Sequence, residues 1–371
     1  MKKLIFRFYR IFKRIFFEIP KETLLLIKNW SSLVQPSYYP ESSYHKSKFR
    51  VFCDQLMQIV RYGAPEQFYY MYGFDTKSKD EMNKYMHLNP YRIIRDQNNL
   101  SDKHNASAIL RNKIYFGIFM DFWGIKTGRN VGIMENGGIS VFDQKKTISV
   151  EEFSKEYDGS YFCKVLDGEC GKGIFTLELK NGDVVVNGEQ KNVKYLDELF
   201  KSAQYLIQER AVQHSEMSRL YPGSLNTIRL VTIKNKKDGK IIVFPSNLRI
   251  GAHGAFVDNG SQGGIGVGVH LDSGKLFEYG LQKPPYGTKT KTHPDTGVVF
   301  ADFTIPFFNE AKEQALYLHS KLDGIYSIGW DIAITEDGPL FIEGNDNWEL
   351  QAIQRTHGGL KNEFLEALGI N

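Results

Sequence analysis

The first thirty residues mix apolar and basic positions with the spacing of a helix. The apolar positions fall on one face of that predicted helix and the basic positions on the other. The apolar set is Leu4, Ile5, Phe8, Ile11, Phe12, Ile15, Phe16 and Ile19, and the basic set is Lys3, Arg7, Arg10 and Arg14. Because charges interrupt the apolar run, the segment matches neither a signal peptide nor a membrane span. Two interpretations remain: a helix on an anionic membrane surface, or a helix docked on the protein body.

Helical patterns continue through the next hundred residues. Residues 31–100 are rich in Tyr and Phe and are interrupted by four prolines, which predicts short helices without a catalytic motif. A second helical pattern starts at Ser101 and ends at Gly124, which has the position of a C-terminal stop.

Beyond Gly124 the apolar period changes to two, which is typical of strands. Residues 175–179 alternate, Asn181-Gly182 supplies a tight turn, and residues 184–186 return as a second strand. Two later hairpins join residues 227–233 to 241–250 and residues 328–334 to 340–342. Between the first hairpin and these two, helical spacing predicts a helix whose apolar positions are Leu196, Leu199, Phe200, Ala203 and Leu206. Antiparallel strands mixed with helices indicate an α+β protein.

Composition narrows the function classes. The chain has 371 residues, 42% apolar and 24% charged, which suits two or three associated subdomains of a folded enzyme. Its formal net charge of +4 gives no reason to expect nucleic acid as a partner. The three cysteines lack C-x-x-C spacing, which disfavours a disulfide framework and a structural zinc site and fits a reducing cytoplasm.

A lysine followed by a glycine-rich loop is the first candidate site. Lys164 ends a predicted strand, and Gly168, Gly171 and Gly173 follow in the order G-x-x-G-x-G. Such a junction brings an ammonium group and backbone N–H groups onto the same phosphates. Neither the Walker A spacing nor the dinucleotide fingerprint fits. The alternative is a plain glycine-rich hairpin turn.

The last hairpin is the second candidate site. Counting back from its turn places Asp331 opposite Glu343, and strand alternation puts Glu343 and Asn345 on one face. Oxygen donors of this kind suit Mg²⁺, which shares its shell with substrate phosphates. The alternative is that both carboxylates are solvated at strand ends.

Two arginines on neighbouring predicted strands form the third candidate. Arg229 and Arg249 lie near an apolar surface, where an unpaired guanidinium is costly and an anionic ligand is favoured. The alternative is that Arg249 pairs with a structural carboxylate.

Together these segments, in this order, resemble the ATP-grasp superfamily. The similar part runs from about Asp102 to Gln354, and the branch associated with sugar transfer in surface-polysaccharide loci is the nearest. The matching segments read S-x-N-T-x-R, L-R-I-G, V-D-N…G-G, H-P-D-T-G and G-W-D-x-A-I-T…E-G-N.

The resemblance implies roles for individual residues. Lys164 is expected to contact phosphate beneath the glycine-rich lid, and Lys113 is expected to be a second nucleotide lysine. Residues 206–212 resemble the linker whose backbone faces adenine. The implied nucleotide contacts there are Gln208, Glu209 and Val212, and past the linker His214, Ser215 and Glu216 are all candidates for the ribose contact. The implied substrate contacts are Asn226, Asn259, Gly263 and Gly264. Asp331, Glu343 and Asn345 are the implied metal ligands.

The resemblance also implies a domain plan. It consists of a basic amphipathic helix at 1–30, a helical region at 31–100, the N-terminal ATP-grasp portion with its lid at 101–210, and the C-terminal portion with the metal site at 211–371. The expected fold is thus α+β, with two ATP-grasp subdomains clamping ATP behind a helical extension. A complete Rossmann-like domain before the nucleotide fold is not evident.

The implied activity is that of an ATP- and Mg²⁺-dependent ligase. It activates a carboxylate as an acyl phosphate and joins it to an amine, with Arg229 or Arg249 stabilising the oxyanion. The expected substrates are a uronic acid or other carboxylated sugar of a capsule or other surface polysaccharide, and an amine such as an amino acid. A sugar phosphotransferase and a nucleotide-binding module without turnover are the alternatives. The expected location is the cytoplasm, with residues 1–20 available for the inner face of a membrane.

Overall fold

The computed structural model describes residues 13–100, 106–135, 137–166 and 173–370. After a π-helical turn at Arg14–Glu18, the helices within these residues are α1 Ile19–Lys28, α2 Trp30–Leu33, α3 Lys48–Tyr62, α4 Lys79–Asn83, α5 Leu88–Asn99, α6 Ser107–Arg111, α7 Lys113–Phe122, α8 Val150–Glu156, α9 Val193–Lys201, α10 Ser215–Leu220, α11 Phe308–Ser320, α12 Leu350–His357 and α13 Lys361–Leu368. The short helical region predicted for residues 31–100 is therefore present, as α2 to α5.

The strands are β1 Asn130–Glu135, β2 Gly138–Val141, β3 Lys146–Ile148, β4 Gly159–Val165, β5 Ile174–Lys180, β6 Asp183–Val186, β7 Glu189–Lys191, β8 Tyr205–Glu209, β9 Thr227–Lys234, β10 Ile241–Ile250, β11 Ile265–Val269, β12 Leu276–Gln282, β13 Lys289–Thr290, β14 Ser327–Thr335 and β15 Gly338–Asn345. They form an eight-stranded sheet in the order β3-β2-β1-β8-β4-β5-β6-β7 and a seven-stranded sheet in the order β13-β12-β11-β10-β9-β14-β15. The α+β class is confirmed.

The three predicted hairpins are present with their expected partners. In the first, Asn181 and Gly182 both have positive φ, which is the conformation that a two-residue turn between twisted strands requires. In the last, Asp331 lies opposite Glu343 as predicted, although a β-bulge between Asp331 and Ile332, rather than the turn alone, sets this register.

Two helix predictions need correction. The pattern from Ser101 to Gly124 is two helices rather than one, because Asn112 leaves the helical conformation and caps α7 by accepting a hydrogen bond from the Ile114 N–H at 2.9 Å. Residues 101–105 lie outside the described part. The helix predicted through Leu206 ends at Lys201, and Leu206 is instead a buried residue of β8, paired with Lys164 of β4.

The seven-stranded sheet is covered on both faces. Apolar residues at alternate positions face α11 on one side, among them Leu230, Leu248 and Trp330. On the other side Val231, Ile233 and Phe244 pack against residues of α12 and α13. Neighbours along a strand point to opposite faces of the sheet. The residues directly before and after Leu230, Leu248 and Trp330 in their strands therefore point towards α12.

The eight-stranded sheet has its own core. Its apolar side chains pack with Phe153 of α8 and with Leu196 and Phe200 of α9. The aromatic N-terminal region forms a further cluster that includes Tyr38, Tyr69 and Phe74 and reaches Leu281 of β12. The N-terminal helices are therefore packed against the seven-stranded sheet at its β12 side.

Candidate active site

Strand register brings three charged side chains to one face of the seven-stranded sheet. Asp331 of β14 lies opposite Arg229 of β9, and Arg249 of β10 lies opposite Thr227 of β9. Each charged residue is flanked along its strand by apolar residues that face α11, so all three side chains point away from that core. The two arginines that the sequence placed on neighbouring strands are therefore adjacent.

Asp331 holds both arginines in the structure. It accepts hydrogen bonds from Nε of Arg229 at 2.6 Å and from Nη2 of Arg229 at 3.0 Å, and its Oδ2 lies 3.0 Å from Nη2 of Arg249. Its side chain is almost completely buried. Burial acts to raise the pKa of Asp331, but the two guanidinium groups outweigh it and hold that pKa well below its usual range. Asp331 is therefore ionised and doubly paired.

A second carboxylate extends this network. Arg249 lies 3.3 Å from Asp258 and donates to the Thr227 hydroxyl at 2.7 Å, and that hydroxyl donates in turn to Asp258. Burial raises the pKa of Asp258, and Arg249 opposes that rise. The alternative that Arg249 pairs with carboxylates is thus what the structure shows. Neither Asp258 nor Thr227 was among the predicted site residues, although the V-D-N and S-x-N-T-x-R segments contain them.

Glu343 and Asn345 lie beside Asp331. Asn345 Nδ2 is 3.2 Å from Glu343 Oε1 and 3.4 Å from Asp331 Oδ2, so the three predicted metal ligands form one cluster. Burial raises the pKa of Glu343, and the neighbouring Asp331 raises it further. A buried carboxylate that is destabilised by a like charge is one that a divalent cation stabilises.

The donor set fits Mg²⁺ through Glu343 and Asn345, while Asp331 is already neutralised by the arginines. Within the described residues, no three His, Cys, Asp or Glu side chains form a group that could hold a metal ion. A cation at this cluster would therefore depend on the amide oxygen of Asn345 and on oxygens supplied by substrate phosphates.

Lys164 approaches this cluster from the eight-stranded sheet. It is the penultimate residue of β4. Burial lowers the pKa of Lys164, Lys113 adds to that effect, and Glu343 and Asp331 oppose it. Lys113 itself donates to the Leu166 carbonyl at 3.0 Å, at the start of the lid segment. The two predicted nucleotide lysines thus lie near each other, facing the carboxylates.

One glycine of the predicted lid lies in the described part. Gly173 has φ +69°, and a Cβ there would lie 2.6 Å from Cγ2 of Val165. The position therefore requires glycine for both conformation and space. Gly168 and Gly171 lie outside the described residues.

The predicted adenine linker is β8 and the coil that follows it. Gln208 donates to Asn130 Oδ1 at 2.7 Å, Glu209 pairs with Arg129 at 2.7 Å, and Val212 is 79% exposed. His214 caps α10 by accepting from the Glu216 N–H at 3.0 Å, and its Nε2 lies 3.3 Å from Glu336. The side chains of Gln208, Glu209 and His214 each have a partner within the chain.

The predicted substrate contact Asn226 needs correction. Its side chain is fully buried, donates to the Met217 and Tyr221 carbonyls at 3.0 and 2.9 Å, and accepts from the Gly251 N–H at 3.2 Å. Its amide nitrogen also donates to Gln213 Oε1 at 3.1 Å, so both polar atoms of the side chain have partners within the chain. Asn226 is therefore a structural residue of the site.

The other predicted substrate residues shape the loop that carries Asp258. Asn259 caps the 3₁₀ turn Gly260–Gln262 by accepting from the Ser261 N–H at 3.1 Å. Gly263 has φ +91°, and a Cβ at Gly264 would lie 2.4 Å from the Asp258 carbonyl oxygen. The positive φ explains Gly263, and close backbone approach explains Gly264.

Solved structures with overall similarity include three enzymes at low identity. They are D-alanyl-alanine synthetase A from Vibrio cholerae (13% identity, 71% of this chain and 62% of that chain, TM-score 0.39), the VanG D-Ala:D-Ser ligase from Enterococcus faecalis (12%, 70% and 62%, 0.41), and carboxyaminoimidazole ribonucleotide synthase from Aspergillus clavatus complexed with ATP (11%, 64% and 45%, 0.39). The chain thus spans less than two thirds of the length of each. No curated protein is similar enough in sequence to count as a match.

The sequence model of one family matches most of the chain. It is described as sugar-transfer associated ATP-grasp, and it covers residues 95–367, which include every described residue of the site. The chain belongs to the sugar-transfer associated ATP-grasp family.

Proposed function

We propose that this protein is an ATP-dependent ligase that joins a carboxylate to an amine through an acyl phosphate. The observation that carries the proposal is the convergence of three kinds of group: Lys164 from one sheet, Glu343 with Asn345 from the other, and the Arg229 and Arg249 pair beside them. These are, respectively, a phosphate-binding cation, oxygen donors for Mg²⁺, and cations for a carboxylate and its oxyanion.

Each residue has one task in this proposal. Lys164 and Lys113 hold the phosphates of ATP, and Glu343 and Asn345 hold Mg²⁺, which neutralises charge as the γ-phosphoryl group moves. Arg249 holds the substrate carboxylate and then the oxyanion formed when the amine attacks. Asp331 and Asp258 keep the guanidinium groups in place before substrate arrives, so little reorganisation accompanies the reaction. A nucleophilic serine or cysteine has no part in it.

The substrate carboxylate belongs, in this proposal, to a uronic acid or another carboxylated sugar of a capsule or other surface polysaccharide. Membership of a sugar-transfer associated family supports a sugar substrate. The amine partner is an amino acid or an amino sugar.

Trapping the intermediate tests the reaction class. With the carboxylate, ATP and Mg²⁺ present, hydroxylamine should intercept an acyl phosphate as a hydroxamate even without the amine. Arg249→Lys should depress hydroxamate formation more than ATP binding, because Arg249 acts on the carboxylate. A stable phosphate ester and no hydroxamate would instead identify a sugar phosphotransferase.

We also propose that the N-terminal helices rest on the inner face of an anionic membrane. Leu26 of α1 is buried, so one side of this helix docks on the protein. The rest of the surface formed by α1, its π-helical start and α3 is strongly apolar, with exposed fractions from 52 to 77% at Ile15, Phe16, Phe17, Leu24, Ile27 and Phe49. Exposed lysines surround it, at Lys21, Lys28 and Lys48. Residues 1–12 lie outside the described part, and no helix within it is long and apolar enough to cross a membrane.

Vesicle cosedimentation tests this surface. Each basic residue near an anionic surface contributes about 1 kcal/mol, and the aromatic side chains add apolar insertion. The triple variant Phe16→Ser, Phe17→Ser, Phe49→Ser should lose binding to phosphatidylglycerol vesicles. Phe122→Ser, which removes an equally exposed ring on α7, should retain it. Equal pelleting of both variants and of the parent chain would show that the surface serves another purpose.

A further inference from the structure

The guanidinium group of Arg355 in α12 forms no ion pair with an acidic side chain of the described residues. Its Nε is buried and has no hydrogen-bond partner among the described residues. Glu349, the acid at the start of the same helix, pairs with Arg92 instead. Burial lowers the pKa of Arg355, and the neighbouring Tyr72, Tyr38 and Glu349 oppose that change. A buried arginine is ordinarily paired, so the unsatisfied Nε of Arg355 is a candidate donor to a bound anion.

A second cation lies at the same aromatic ring. Arg355 Cζ is 5.0 Å from the ring centroid of Phe68, and Lys283 Nζ is 5.4 Å from the same centroid. The acid nearest along the chain, Glu66, accepts a hydrogen bond from the Phe68 N–H at 3.0 Å, which engages it with backbone. Phe68, Lys283 and Arg355 are all partly accessible to solvent. Two positive groups therefore lie against one partly accessible aromatic ring.

This cation pair lies on the same face of the seven-stranded sheet as the active site. Asn247 of β10 donates to the Ala352 carbonyl of α12 at 2.8 Å and accepts from the Thr356 hydroxyl at 2.6 Å. Arg249 is two residues further along β10, so its side chain leaves the sheet on the same side as that of Asn247. The helix that carries Arg355 thus packs beside Arg249.

Lys283 connects the pair to the loop that carries Asp258. A Cβ on Gly260 would lie 4.0 Å from Cε of Lys283, and Gly260 follows Asp258 by two residues. Gln282, next to Lys283, donates to the Gly263 carbonyl at 2.8 Å in the same loop. Phe68 and its two neighbouring cations are therefore on the side of the site where the carboxylate substrate, rather than the nucleotide, is proposed to bind.

We propose that Arg355 and Lys283 form a subsite for a phosphate group on the carboxylated substrate. A guanidinium presents a planar fork that matches phosphate oxygens, and a lysine adds a second point charge, so a dianionic phosphate satisfies both better than one carboxylate does. The substrate class is then a carboxylated sugar that carries a phosphate or diphosphate, as a soluble conjugate or linked to a lipid. The role of that group as part of the acceptor rests on the proposed ligase function.

Direct binding of phosphate monoesters tests the subsite. Methyl phosphate is titrated calorimetrically into the full chain with saturating ADP and Mg²⁺, so that the nucleotide site is filled. Loss of a charge-assisted hydrogen bond should raise the Kd about tenfold in Arg355→Gln. Arg355→Lys, which keeps the charge, should lose less. Arg219→Gln, which removes an exposed arginine of α10, should bind as the parent chain does.

Two comparisons complete the test. The first compares methyl phosphate with dodecyl phosphate in neutral micelles. Much tighter binding of dodecyl phosphate would indicate a lipid-linked substrate, and equal binding would indicate a soluble one. Methyl phosphate binding that is absent, or equal in the parent, Arg355→Gln and Lys283→Gln, would overturn the subsite. This binding measurement requires no turnover, so it can succeed where the hydroxamate experiment fails. Phosphate binding that depends on Arg355, without hydroxamate formation, would reject the ligase proposal and retain the subsite.

Discussion

The two sheets contribute to the site in opposite ways. The eight-stranded sheet supplies one buried cation, Lys164, and its ion pairs, such as Arg129 with Glu209, are exposed at the surface. The seven-stranded sheet places Arg229, Arg249 and Asp331 on one buried face. Burying charges is costly unless each has a partner, so the second arrangement survives only as a network. One sheet is therefore suited to holding a nucleotide, and the other to fixing reactive charges before a substrate arrives.

The largest expected effect comes from removing the carboxylate of Glu343. Glu343→Gln should reduce ADP release by at least about 10²-fold, since a ligand of the proposed Mg²⁺ is lost. The same change should leave thermal stability equal or higher, because Glu343 is buried beside a like charge that raises its pKa. Coupled-enzyme assay of ADP and a melting curve measure the two outcomes. Unchanged ADP release would remove the metal assignment and leave Lys164 and Lys113 as the proposed phosphate contacts.

Removing Arg229 from the network should have the largest effect on stability. Arg229→Met leaves Asp331 buried with only Arg249 beside it, and loss of one partner of a buried pair costs about 3–5 kcal/mol. Urea unfolding measures this cost. Adding Asp331→Asn to Arg229→Met should recover part of it, because the uncompensated charge is removed. Equal destabilisation by the single and double variants would mean that packing, rather than charge, accounts for the loss.

The sequence predicts the hairpins well because turn residues and strand alternation fix a local register. The hairpin that carries Asp331 and Glu343 follows from its turn residues, but a β-bulge between Asp331 and Ile332, which the turn does not predict, sets their pairing. The sequence also places Arg229 and Arg249 on neighbouring strands, and a second bulge between Phe244 and Asn247 sets their register. Local periodicity thus defines most of the catalytic face of the seven-stranded sheet.

Long-range contacts are what the sequence does not reveal. Asp258 reaches Arg249 from a loop without periodicity, and Arg355 reaches Phe68 across almost the whole chain. Asn226 has the residue type of a ligand contact, yet its amide is used to hold backbone. The helix predicted through Leu206 fails because apolar spacing alone does not distinguish a helix from a helix followed by a buried strand.

Glu66 is a buried carboxyl group that forms no ion pair with the described residues. It therefore tests whether ion pairing is what allows the seven-stranded sheet to bury its charges. Burial raises the pKa of Glu66 to about 7 from its usual 4.5. The folded state holds this proton more tightly than the unfolded state, so its contribution to stability is full below pH 4.5 and is lost as pH rises to 7. That loss is about 3 kcal/mol at 1.36 kcal/mol per pKa unit.

Unfolding as a function of pH checks this sign. Glu66→Gln should flatten the decline in stability between pH 4.5 and 7, while keeping an oxygen to accept from the Phe68 N–H. Glu81→Gln serves as the opposite case, because hydrogen bonds to Ser78 lower the pKa of Glu81 and its stabilising contribution disappears as pH falls. A parent chain whose stability does not fall across this window would show that Glu66 ionises without cost.

The smallest expected effect is at the exposed ion pair of the eight-stranded sheet. Arg129 lies 2.7 Å from Glu209, yet the two side chains are 66% and 47% exposed, so water and salt screen the attraction. Arg129→Gln should therefore change the free energy of unfolding by at most about 1 kcal/mol, against several for Arg229→Met at a similar ion-pair distance. Its KM for ATP should also stay the same, because backbone of the linker, rather than the Glu209 side chain, is proposed to face adenine. Urea unfolding and a steady-state ATP titration measure both quantities. A several-fold rise in KM without loss of stability would show instead that the Glu209 side chain contacts the nucleotide, and the eight-stranded sheet would then contribute more than one side chain to binding.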